Sequence, residues 1–348
     1  MRIAIIGAGF FGATAALKLC KSHDVDLFEK KKDILNGASK INQFRFHLGF
    51  HYPRSKKTLD EIKASYKLFS NFFSNKVFES TLNYYGVANK GSKISYSLYL
   101  KILKKFNLKF KITNLKFDQV SNLILTNEKV LNYFKFKKIM KKKLDQSKVN
   151  LYLNTKFKKN LINNYDKIII CTYSSNNEVL NNFIKIKNLK KNRYELVEKI
   201  VVKLPNKYRK KSYVIIDGKF VCLDPYLGTN YHLLSDVKYS KIEVIKKNKP
   251  IFKSIKRKYL NDKLHKNLKI SNFKKFINHS SNYLPFLSEA KYIGSMFIVR
   301  ALKLNVEKTD ERTGEIQQVN KKFISVFSGK WNTCVYVANK LNNLLSND

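Results

Sequence analysis

The stretch Met1-Arg-Ile-Ala-Ile-Ile-Gly7-Ala-Gly9-Phe-Phe-Gly12 decides the fold of this chain of 348 residues. Its apolar run predicts a buried strand, and an apolar helical pattern follows the Gly-x-Gly-x-x-Gly turn at once. In such a turn Gly7 permits the tight bend, Gly9 leaves room for a pyrophosphate, and Gly12 lets the helix pack close to the strand. The helix start then offers free N–H groups to phosphate oxygens. We therefore expect a dinucleotide site here.

A second predicted strand supports this interpretation. Val25-Asp-Leu-Phe-Glu29 is apolar and ends in an acid. Glu29 stands about 20 residues beyond Gly9, where a carboxylate accepts hydrogen bonds from an adenosine ribose. The order of strand, turn, helix, strand and acid favours a nucleotide site over a glycine-rich turn in an unrelated α/β protein. Lys30 and the two lysines after it still leave NADP open as the ligand.

The formal charge of +44 is extreme and by itself suggests a nucleic-acid partner. However, only eight of the 69 basic residues are arginine, and the lysines are spread along the chain. Proteins that read nucleic acid favour arginine because it makes bidentate contacts. We therefore expect a solvated basic surface and no specific nucleic-acid partner. Because lysine is by far the commoner cation in this chain, each arginine indicates a position that needs a planar guanidinium able to donate two parallel hydrogen bonds.

The four cysteines are scattered and form no C-x-x-C pair, so no disulfide framework is expected. No apolar run approaches the ~18 residues of a membrane span. The strand at the N-terminus leaves no room for a signal peptide. No Cys, His and Asp group has metal-ligand spacing, so we expect no metal site. These features predict a cytoplasmic protein whose oligomeric state stays open.

Later segments indicate how the domains are organised. The buried run Ile168–Cys171 predicts another parallel strand, so the nucleotide domain resumes there after an insertion. Alternation over residues 194–204, and a hairpin with a type I′ turn at Asp217-Gly218, predict an antiparallel layer. The sequence thus predicts an α/β fold, in which a Rossmann-like domain with a parallel sheet is interleaved with an antiparallel-sheet substrate domain. The expected segments are 1–75, 146–190 and 291–348 for the nucleotide domain and 76–145 and 191–290 for the substrate domain.

The sequence also predicts two further helices. Thr58-Leu-Asp-Glu61 has the form of a capping box and predicts a helix that begins at Thr58. A Lys-rich helical stretch is expected at about residues 240–277.

The segment Ser39–Ser55 is interpreted as an active-site loop because histidines, arginines and a tyrosine crowd its second half. His47 and His51 are candidate bases, since an imidazole titrates near neutral pH. We expect His51 on the substrate side and His47 near the cofactor. Tyr52 is expected to orient substrate, with core packing as its alternative. Arg54 is a candidate anion clamp, with a surface ion pair as its alternative.

These features resemble the D-amino-acid-oxidase-like family of FAD-dependent oxidoreductases. His47-Leu-Gly-Phe-His-Tyr52 looks like the His-x-Gly-x-x-Tyr loop of L-2-hydroxyglutarate oxidases and FAD-linked glycerol-3-phosphate dehydrogenases, which runs beneath the flavin ring. Arg300, on a strand after Pro285-Phe-Leu-x-x-Ala290, is similar to the family's arginine that grips a substrate carboxylate. Ser328-Gly-Lys-Trp-Asn-Thr333 looks like the turn that caps the flavin pyrimidine edge. Residues 70–165 resemble no motif of the family.

The resemblance implies that FAD is the cofactor, which makes the Rossmann-like domain an FAD-binding domain. Its implied cofactor contacts are Gly7, Gly9, Phe10, Phe11, Gly12, Glu29, Lys30, Ser39, Asn42, Arg45, Thr172, Gly329, Lys330, Trp331, Asn332 and Thr333. The implied catalytic residues are His51, His47, Tyr52, Arg54 and Arg300. The implied reaction transfers a hydride from a CH–OH or CH–NH carbon of a small anionic substrate to flavin N5. Lys330 and backbone N–H groups near Asn332 would stabilise the charge that develops on the flavin.

Two other functions stay open from the sequence. A non-redox flavoenzyme that acts on a nucleotide sugar, like UDP-galactopyranose mutase, would share the glycine-rich start and a His-rich loop. The ending Ser328–Thr333 argues against that alternative. A basic binding protein with a vestigial nucleotide fold would act on nucleic acid through its charge alone, and its binding would vanish at moderate salt.

Overall fold

The computed structural model describes residues 1–186, 189–261 and 263–346. Parts of the expected segments 146–190, 191–290 and 291–348 therefore lie outside the described residues, as does one residue of the stretch 240–277. The helices are α1 (Phe10–Leu19), α2 (Lys56–Phe73), α3 (Tyr96–Lys105), α4 (Tyr133–Asp145), α5 (Asn176–Phe183), α6 (Phe273–Ser280) and α7 (Cys334–Ser346). The strands are β1 (Arg2–Ile6), β2 (Asp24–Phe28), β3 (Arg45–Phe46), β4 (Phe78–Glu79), β5 (Leu82–Val87), β6 (Phe110–Ile112), β7 (Ile124–Thr126), β8 (Lys129–Leu131), β9 (Val149–Tyr152), β10 (Lys167–Ile170), β11 (Asn192–Lys203), β12 (Lys211–Ile216), β13 (Val221–Tyr226), β14 (Tyr231–Asp236), β15 (Lys241–Lys247), β16 (Lys291–Leu302), β17 (Glu315–Gln318) and β18 (Phe323–Phe327).

A six-stranded sheet forms one layer, in the order β17–β18–β10–β1–β2–β9. β1 pairs in parallel with β2 and β10, β9 and β18 continue the parallel pairing, and β17 adds one antiparallel strand at the edge. The Ile-rich runs of β1 and β10 are buried, which is typical of parallel strands covered on both faces. α1 packs against α7 and α4 over this sheet. The predicted parallel sheet with the glycine turn at its centre is therefore confirmed.

The second layer is a nine-stranded, mostly antiparallel sheet in which β11, β14, β13, β12, β5, β7 and β6 follow one another. β15 and β14 share one edge of β11, and β16 pairs along its other edge. The β11–β16 ladder is long and runs from Arg193↔Leu302 to Lys203↔Lys291. A small third sheet has the order β3–β8–β4. The α/β class and the interleaving of the two layers along the chain are thus confirmed.

Two stretches belong to a different layer from the one expected. β16 (Lys291–Leu302) was assigned to the nucleotide domain, but it pairs with β11 in the antiparallel sheet. α4 fell in the substrate segment 76–145, but it packs on α1, with the Phe10 and Phe136 rings 5.0 Å apart. Long-range pairing, which local patterns do not reveal, decides both placements. The remaining domain limits stay predictions.

Two local predictions were wrong. The stretch 240–277 is not one helix: it forms β15, an irregular segment and part of α6. The hairpin of β12 and β13 exists, but its loop spans residues 217–220, and neither Asp217 nor Gly218 has a positive φ. A type I′ turn needs positive φ at both central residues.

The start of α2 also differs from the expected capping box. α2 begins at Lys56, and the Ser55 hydroxyl accepts the backbone N–H of Thr58 at 3.3 Å as the N-cap. Glu61 accepts the backbone N–H of Gly314 at 3.1 Å instead of turning back to its own helix. The carboxylate therefore fixes the segment after β16, which a local motif could not indicate.

The role of Ser55 as the N-cap can be tested by its effect on the free energy of unfolding. We expect Ser55→Ala to lower the free energy of unfolding by about 1 kcal/mol, because a helix N–H loses its acceptor. Lys57→Ala, at the exposed neighbouring position, should change it by less than about 0.5 kcal/mol. Urea unfolding followed by circular dichroism measures both variants. Equal stability of the two variants would contradict the assignment of Ser55 as the cap.

All four cysteines are buried and free. In the part of the chain that is described, no helix combines the length and the apolar character that crossing a bilayer requires. A cytoplasmic location stays a prediction.

Candidate active site

A cleft of about 280 Å³ lies between the two large sheets. Residues just beyond the carboxyl ends of β1, β10 and β18 form one wall, and β11 and β16 contribute the other. Ligands of open α/β sheets bind outside the carboxyl ends of the strands. Of the predicted site residues, the cleft is lined by Gly9, Phe10, Phe11, Ser39, Asn42, Arg45, His47, His51, Tyr52, Arg300, Gly329, Lys330 and Trp331.

The glycine turn has the geometry that the sequence predicts. Gly7 has φ +100°, and a Cβ there would lie 2.8 Å from a backbone oxygen beyond β10. A Cβ on Gly12 would overlap the carbonyl oxygen of Gly7. Gly9 is the N-cap of α1, and Ser39 Oγ accepts the first N–H of the helix at 3.2 Å. The turn and Ser39 together form a polar cradle at one end of the cleft.

Some predicted cofactor residues flank the cleft without lining it. The Glu29 carboxylate accepts the backbone N–H groups of Ala8 at 3.0 Å and Lys31 at 2.9 Å. This orients the acid beside the glycine turn. Lys30 is exposed, and the Thr172 hydroxyl donates to Asn176 Oδ1 at 3.0 Å. The other members of this flanking group are Gly7, Gly12, Asn332 and Thr333.

Arg45 is buried in a network that anchors the active-site loop. Its Nη2 donates to the Ser212 hydroxyl at 2.9 Å and forms an ion pair with Asp224. Its Nη1 lies 3.9 Å from the Glu128 carboxylate and has no hydrogen-bond partner among the described residues. Glu128 also accepts the backbone N–H of Leu48 at 2.7 Å. Arg45 therefore holds the loop in place while one edge of its guanidinium remains unsatisfied.

His47, His51 and Tyr52 form one aromatic cluster at the cleft. The ring centroid of Tyr52 lies 5.3 Å from that of His47 and 4.9 Å from that of His51. Burial, followed by the nearby Lys330 ammonium, holds the pKa of both histidines well below its usual range. The expectation that they titrate near neutral pH is therefore corrected: both imidazoles are neutral at pH 7.

The C-terminal turn brings Lys330 against this cluster. The Lys330 ammonium lies 4.5 Å from the centroid of the Tyr52 ring. Burial, with a smaller contribution from Arg45, lowers the pKa of Lys330 to about 7. Asn332 is fully buried and donates to the carbonyl of His47 at 3.4 Å. The turn at 328–333 and the loop at 39–55 thus meet at one place, as the resemblance implied.

The two candidate anion clamps differ in position. Arg54 binds Asp217 and the carbonyl of Lys308, and it does not line the cleft within the described residues. Its alternative was a surface ion pair, and the structure shows an ion pair that is largely buried. Arg300 lines the cleft from β16 and forms an ion pair with Glu195.

The Glu195 carboxylate is shared by several cations, so its single negative charge does not neutralise Arg300 completely. Arg193 also binds it at 2.8 Å, and the Lys241 ammonium lies 3.7 Å away. Burial opposes the ionisation of Glu195, but Arg300 and Lys241 outweigh it and lower its pKa to about 2. A positive charge therefore remains at the cleft wall beside Arg300.

Many of the residues that line the cleft were not predicted as site residues, and three of them bear on its chemistry. Arg312 and Tyr173 line it close to Arg300, and Lys199 lines it from β11. The rarity of arginine could have indicated Arg312. Lys199 offers no such signal in a chain where lysine is the default cation, and only its burial distinguishes it. Among the described residues, no group of three or more His, Cys, Asp or Glu side chains could hold a metal ion.

Comparison with known proteins agrees with this geometry. Residues 2–90 match the family model described as FAD dependent oxidoreductase, named DAO. The FAD-dependent monooxygenase kojA of Aspergillus flavus is 39% identical over 92 residues, which cover 26% of this chain and 22% of that protein. The matched segment therefore spans less than a quarter of that curated relative.

Solved structures extend the likeness to the whole chain at the level of fold. Glycine oxidase from Geobacillus kaustophilus has a TM-score of 0.71 at 10% identity, covering 100% of this chain and 95% of that one. The L-alpha-glycerophosphate oxidase from Mycoplasma pneumoniae, solved with FAD bound, has a TM-score of 0.68 at 13% identity, covering 99% and 94%. The resemblance to the D-amino-acid-oxidase-like family is confirmed over residues 2–90, where the matched family is described as FAD dependent, and the expected fold class is confirmed over the whole chain.

Proposed function

We propose that this protein oxidises a small anionic substrate with FAD, and the match of residues 2–90 to the FAD-dependent oxidoreductase family supports this proposal. The proposed reaction removes a hydride from a CH–OH or CH–NH carbon. One observation carries the proposal. The glycine turn, the His-rich loop, the Lys330 turn and Arg300 come from distant parts of the chain and border one cleft.

The residues present fit a flavin. Several buried polar atoms at the cleft have no partner among the described residues, namely Arg45 Nη1, His47 Nδ1, His51 Nδ1 and Trp331 Nε1. Such groups are costly unless a ligand or water satisfies them. A flavin ring carries both hydrogen-bond donors and acceptors along its edge. Together with the glycine cradle, these atoms support an FAD whose phosphates lie at the turn and whose ring lies towards the histidines.

Each part of the chain has a proposed task. The N–H groups at the start of α1 bind phosphate oxygens, and Glu29 accepts hydrogen bonds from the ribose. Lys330 stabilises negative charge near the pyrimidine edge. Arg300 binds the anionic group of the substrate, and Tyr52 orients it. FAD, when bound, supplies the acceptor for the hydride that leaves the substrate carbon.

The absorbance spectrum of the purified protein tests this proposal. We expect a yellow protein, with flavin bands that bleach when a 2-hydroxy acid or an amino acid is added without oxygen. The panel should contain short and long members of both classes, with a nucleotide sugar as the comparison. A colourless protein that FAD does not reconstitute would refute the proposed function. Oxygen consumption that requires a nicotinamide would instead indicate a monooxygenase, as the name of the kojA relative suggests.

The alternative of a nucleotide-sugar flavoenzyme is not favoured, because the matched family and the structural neighbours named above are oxidoreductases. Turnover of a nucleotide sugar without any electron acceptor is the result that would restore this alternative.

Arg300 offers a direct test of the anionic substrate. We expect Arg300→Gln to weaken the binding of a carboxylate inhibitor about 10- to 100-fold, since a hydrogen bond to a charged group contributes about 1.5–3 kcal/mol. Perturbation of the flavin spectrum by benzoate or oxalate measures the binding. Arg257→Gln, at an exposed arginine outside the cleft, serves as the control. Unchanged affinity in Arg300→Gln would remove this residue from the site.

A further inference from the structure

Lys199 is a buried amine in the wall of the cleft, and the proposed tasks above do not use it. It lies on β11, is 8% exposed and lines the cleft together with Val197 from the same strand. Its Nζ lies 2.9 Å from Gln43 Oε1 and 2.8 Å from Ser235 Oγ. Burial of a lysine is rare unless the amine is paired or functional.

The surroundings of Lys199 match a neutral amine. The Gln43 amide nitrogen donates to the carbonyls of Cys222 and Leu233, both at 3.3 Å, so the amide oxygen is the atom that faces Lys199. A neutral amine has two N–H donors and one lone pair. Gln43 and Ser235 can accept the two N–H groups, which leaves the lone pair free as an acceptor on a side chain that lines the cleft.

The charges around Lys199 favour the same state. Among the described residues no carboxylate lies within ion-pair distance of its Nζ. Asp224 lies on β13, which β14 separates from β11, and it is held by Arg45 and Ser212. Burial and then Arg300 lower the pKa of Lys199 to about 8, while Cys222 and Asp224 act weakly in the opposite direction.

We propose that Lys199 is the catalytic base, which accepts the proton of the substrate hydroxyl or amino group. This assignment rests on the proposed function. The substrate O–H or N–H bond breaks and its proton goes to the Nζ lone pair of Lys199. The hydride leaves the adjacent carbon for FAD, and the carbon–oxygen or carbon–nitrogen bond becomes double. Lys199 is then an ammonium, and it returns its proton to solvent after the product leaves.

Lys199 suits this task better than the two histidines of the loop. A general base works best when its pKa lies near the working pH. The pKa values of His47 and His51 lie well below that range, so their imidazoles bind a proton only weakly. Because both rings contact Tyr52, we infer that the histidines pack in the wall of the site and do not act as the base.

The test measures the rate at which a substrate from the titration panel reduces the flavin under anaerobic stopped flow. In the wild-type protein we expect the rate to rise with pH and to level off above about pH 8. Lys199→Met should lose about 100-fold or more of the rate, together with that pH dependence, because general base catalysis contributes 10²–10⁴-fold. Added methylamine should restore part of the rate in Lys199→Met.

Two further variants separate the base from other roles. Lys199→Arg keeps a positive charge that does not deprotonate, so it should be as slow as Lys199→Met if the residue is a base. Lys203→Met, at an exposed lysine of the same strand, should match the wild type. The flavin content and the melting temperature of each variant show whether it has folded.

The outcomes distinguish this assignment from the proposed function. If no compound of the panel bleaches the flavin, the proposed function fails and the assignment of Lys199 fails with it. If a compound reduces Lys199→Met or Lys199→Arg at the wild-type rate, the assignment of Lys199 is overturned while the proposed function stands. A slow Lys199→Met with an unchanged pH profile also overturns it, because a positioning role would give that result.

Discussion

Gly12→Ala should be purified without FAD, or with less than about a tenth of the wild-type flavin per chain. The added Cβ overlaps the carbonyl oxygen of Gly7, which is backbone and cannot rotate away. α1 would have to move off β1, and the cradle for the phosphates would open with it. Overpacking of this kind costs about 1–3 kcal/mol, and more where the backbone itself must shift. The ratio of flavin to protein absorbance measures the loss of cofactor.

A matched glycine provides the control. A Cβ on Gly37 would have no atom within 4 Å, so Gly37→Ala should keep its flavin and its stability. If Gly12→Ala is insoluble, Gly9→Ala offers a milder change, since its Cβ would meet only the Ser39 hydroxyl at 3.1 Å. Full flavin content in both Gly12→Ala and Gly9→Ala would show that the cofactor does not lie at this turn.

Arg45→Met should destabilise the protein by about 3–5 kcal/mol, because it leaves buried carboxylates without their cation. Asp224 and Glu128 both face Arg45 and are almost completely buried. Burial raises the pKa of both acids, and Arg45 offsets that effect. Without Arg45 the two pKa values rise further, so the loss of stability should be larger at pH 8 than at pH 5. Urea unfolding at the two pH values measures it.

The control for this variant is an exposed ion pair, and the rescue removes the partner of Arg45 itself. Lys56→Met removes the exposed pair with Asp60 and should cost only about 0.3–0.5 kcal/mol. Arg45→Met combined with Asp224→Leu should recover part of the stability, because it removes an unpaired charge. A loss in Arg45→Met that is no larger than in Lys56→Met would contradict the structural role of the buried network.

The nucleotide-binding unit could be predicted from the sequence because its signals are local. Gly7, Gly12 and Glu29 stand within one strand–helix–strand unit, and each residue type follows from backbone geometry nearby. The parallel strand at 168–171 was recognisable for the same reason, since its apolar run is continuous. The features of these segments follow from nearby residues and were predicted well, whereas the equally local patterns at residues 217–218 and 240–277 gave wrong predictions.

Other features depend on pairing between distant segments, and local patterns did not indicate them. Strand β16 reads like any buried strand, and only its ladder with β11 places it in the antiparallel sheet. Arg54 stands in a loop rich in functional residue types, but Asp217 and Lys308 occupy its guanidinium. The neutrality of His47 and His51 follows from burial and from Lys330, which no spacing reveals.

Lys199 is a candidate functional residue that the sequence did not indicate. The sequence contains so many lysines that one buried amine among them carries no signal. Its two hydrogen-bond partners lie far away along the chain, on the active-site loop and on β14. Composition therefore concealed the residue that we assign as the base.

The strand order of the parallel sheet also determines when this sheet can be completed during synthesis. β10 lies between β1 and β18, so one of its edges stays unpaired until residues 323–327 have been made. An unpaired strand edge is a site of aggregation. The Lys330 turn follows β18 directly, so the cleft can close only after residues 323–333 have been made. Cofactor capture is thus expected after these residues have left the ribosome, and slow synthesis of the segment between β10 and β18 would expose the edge for longer.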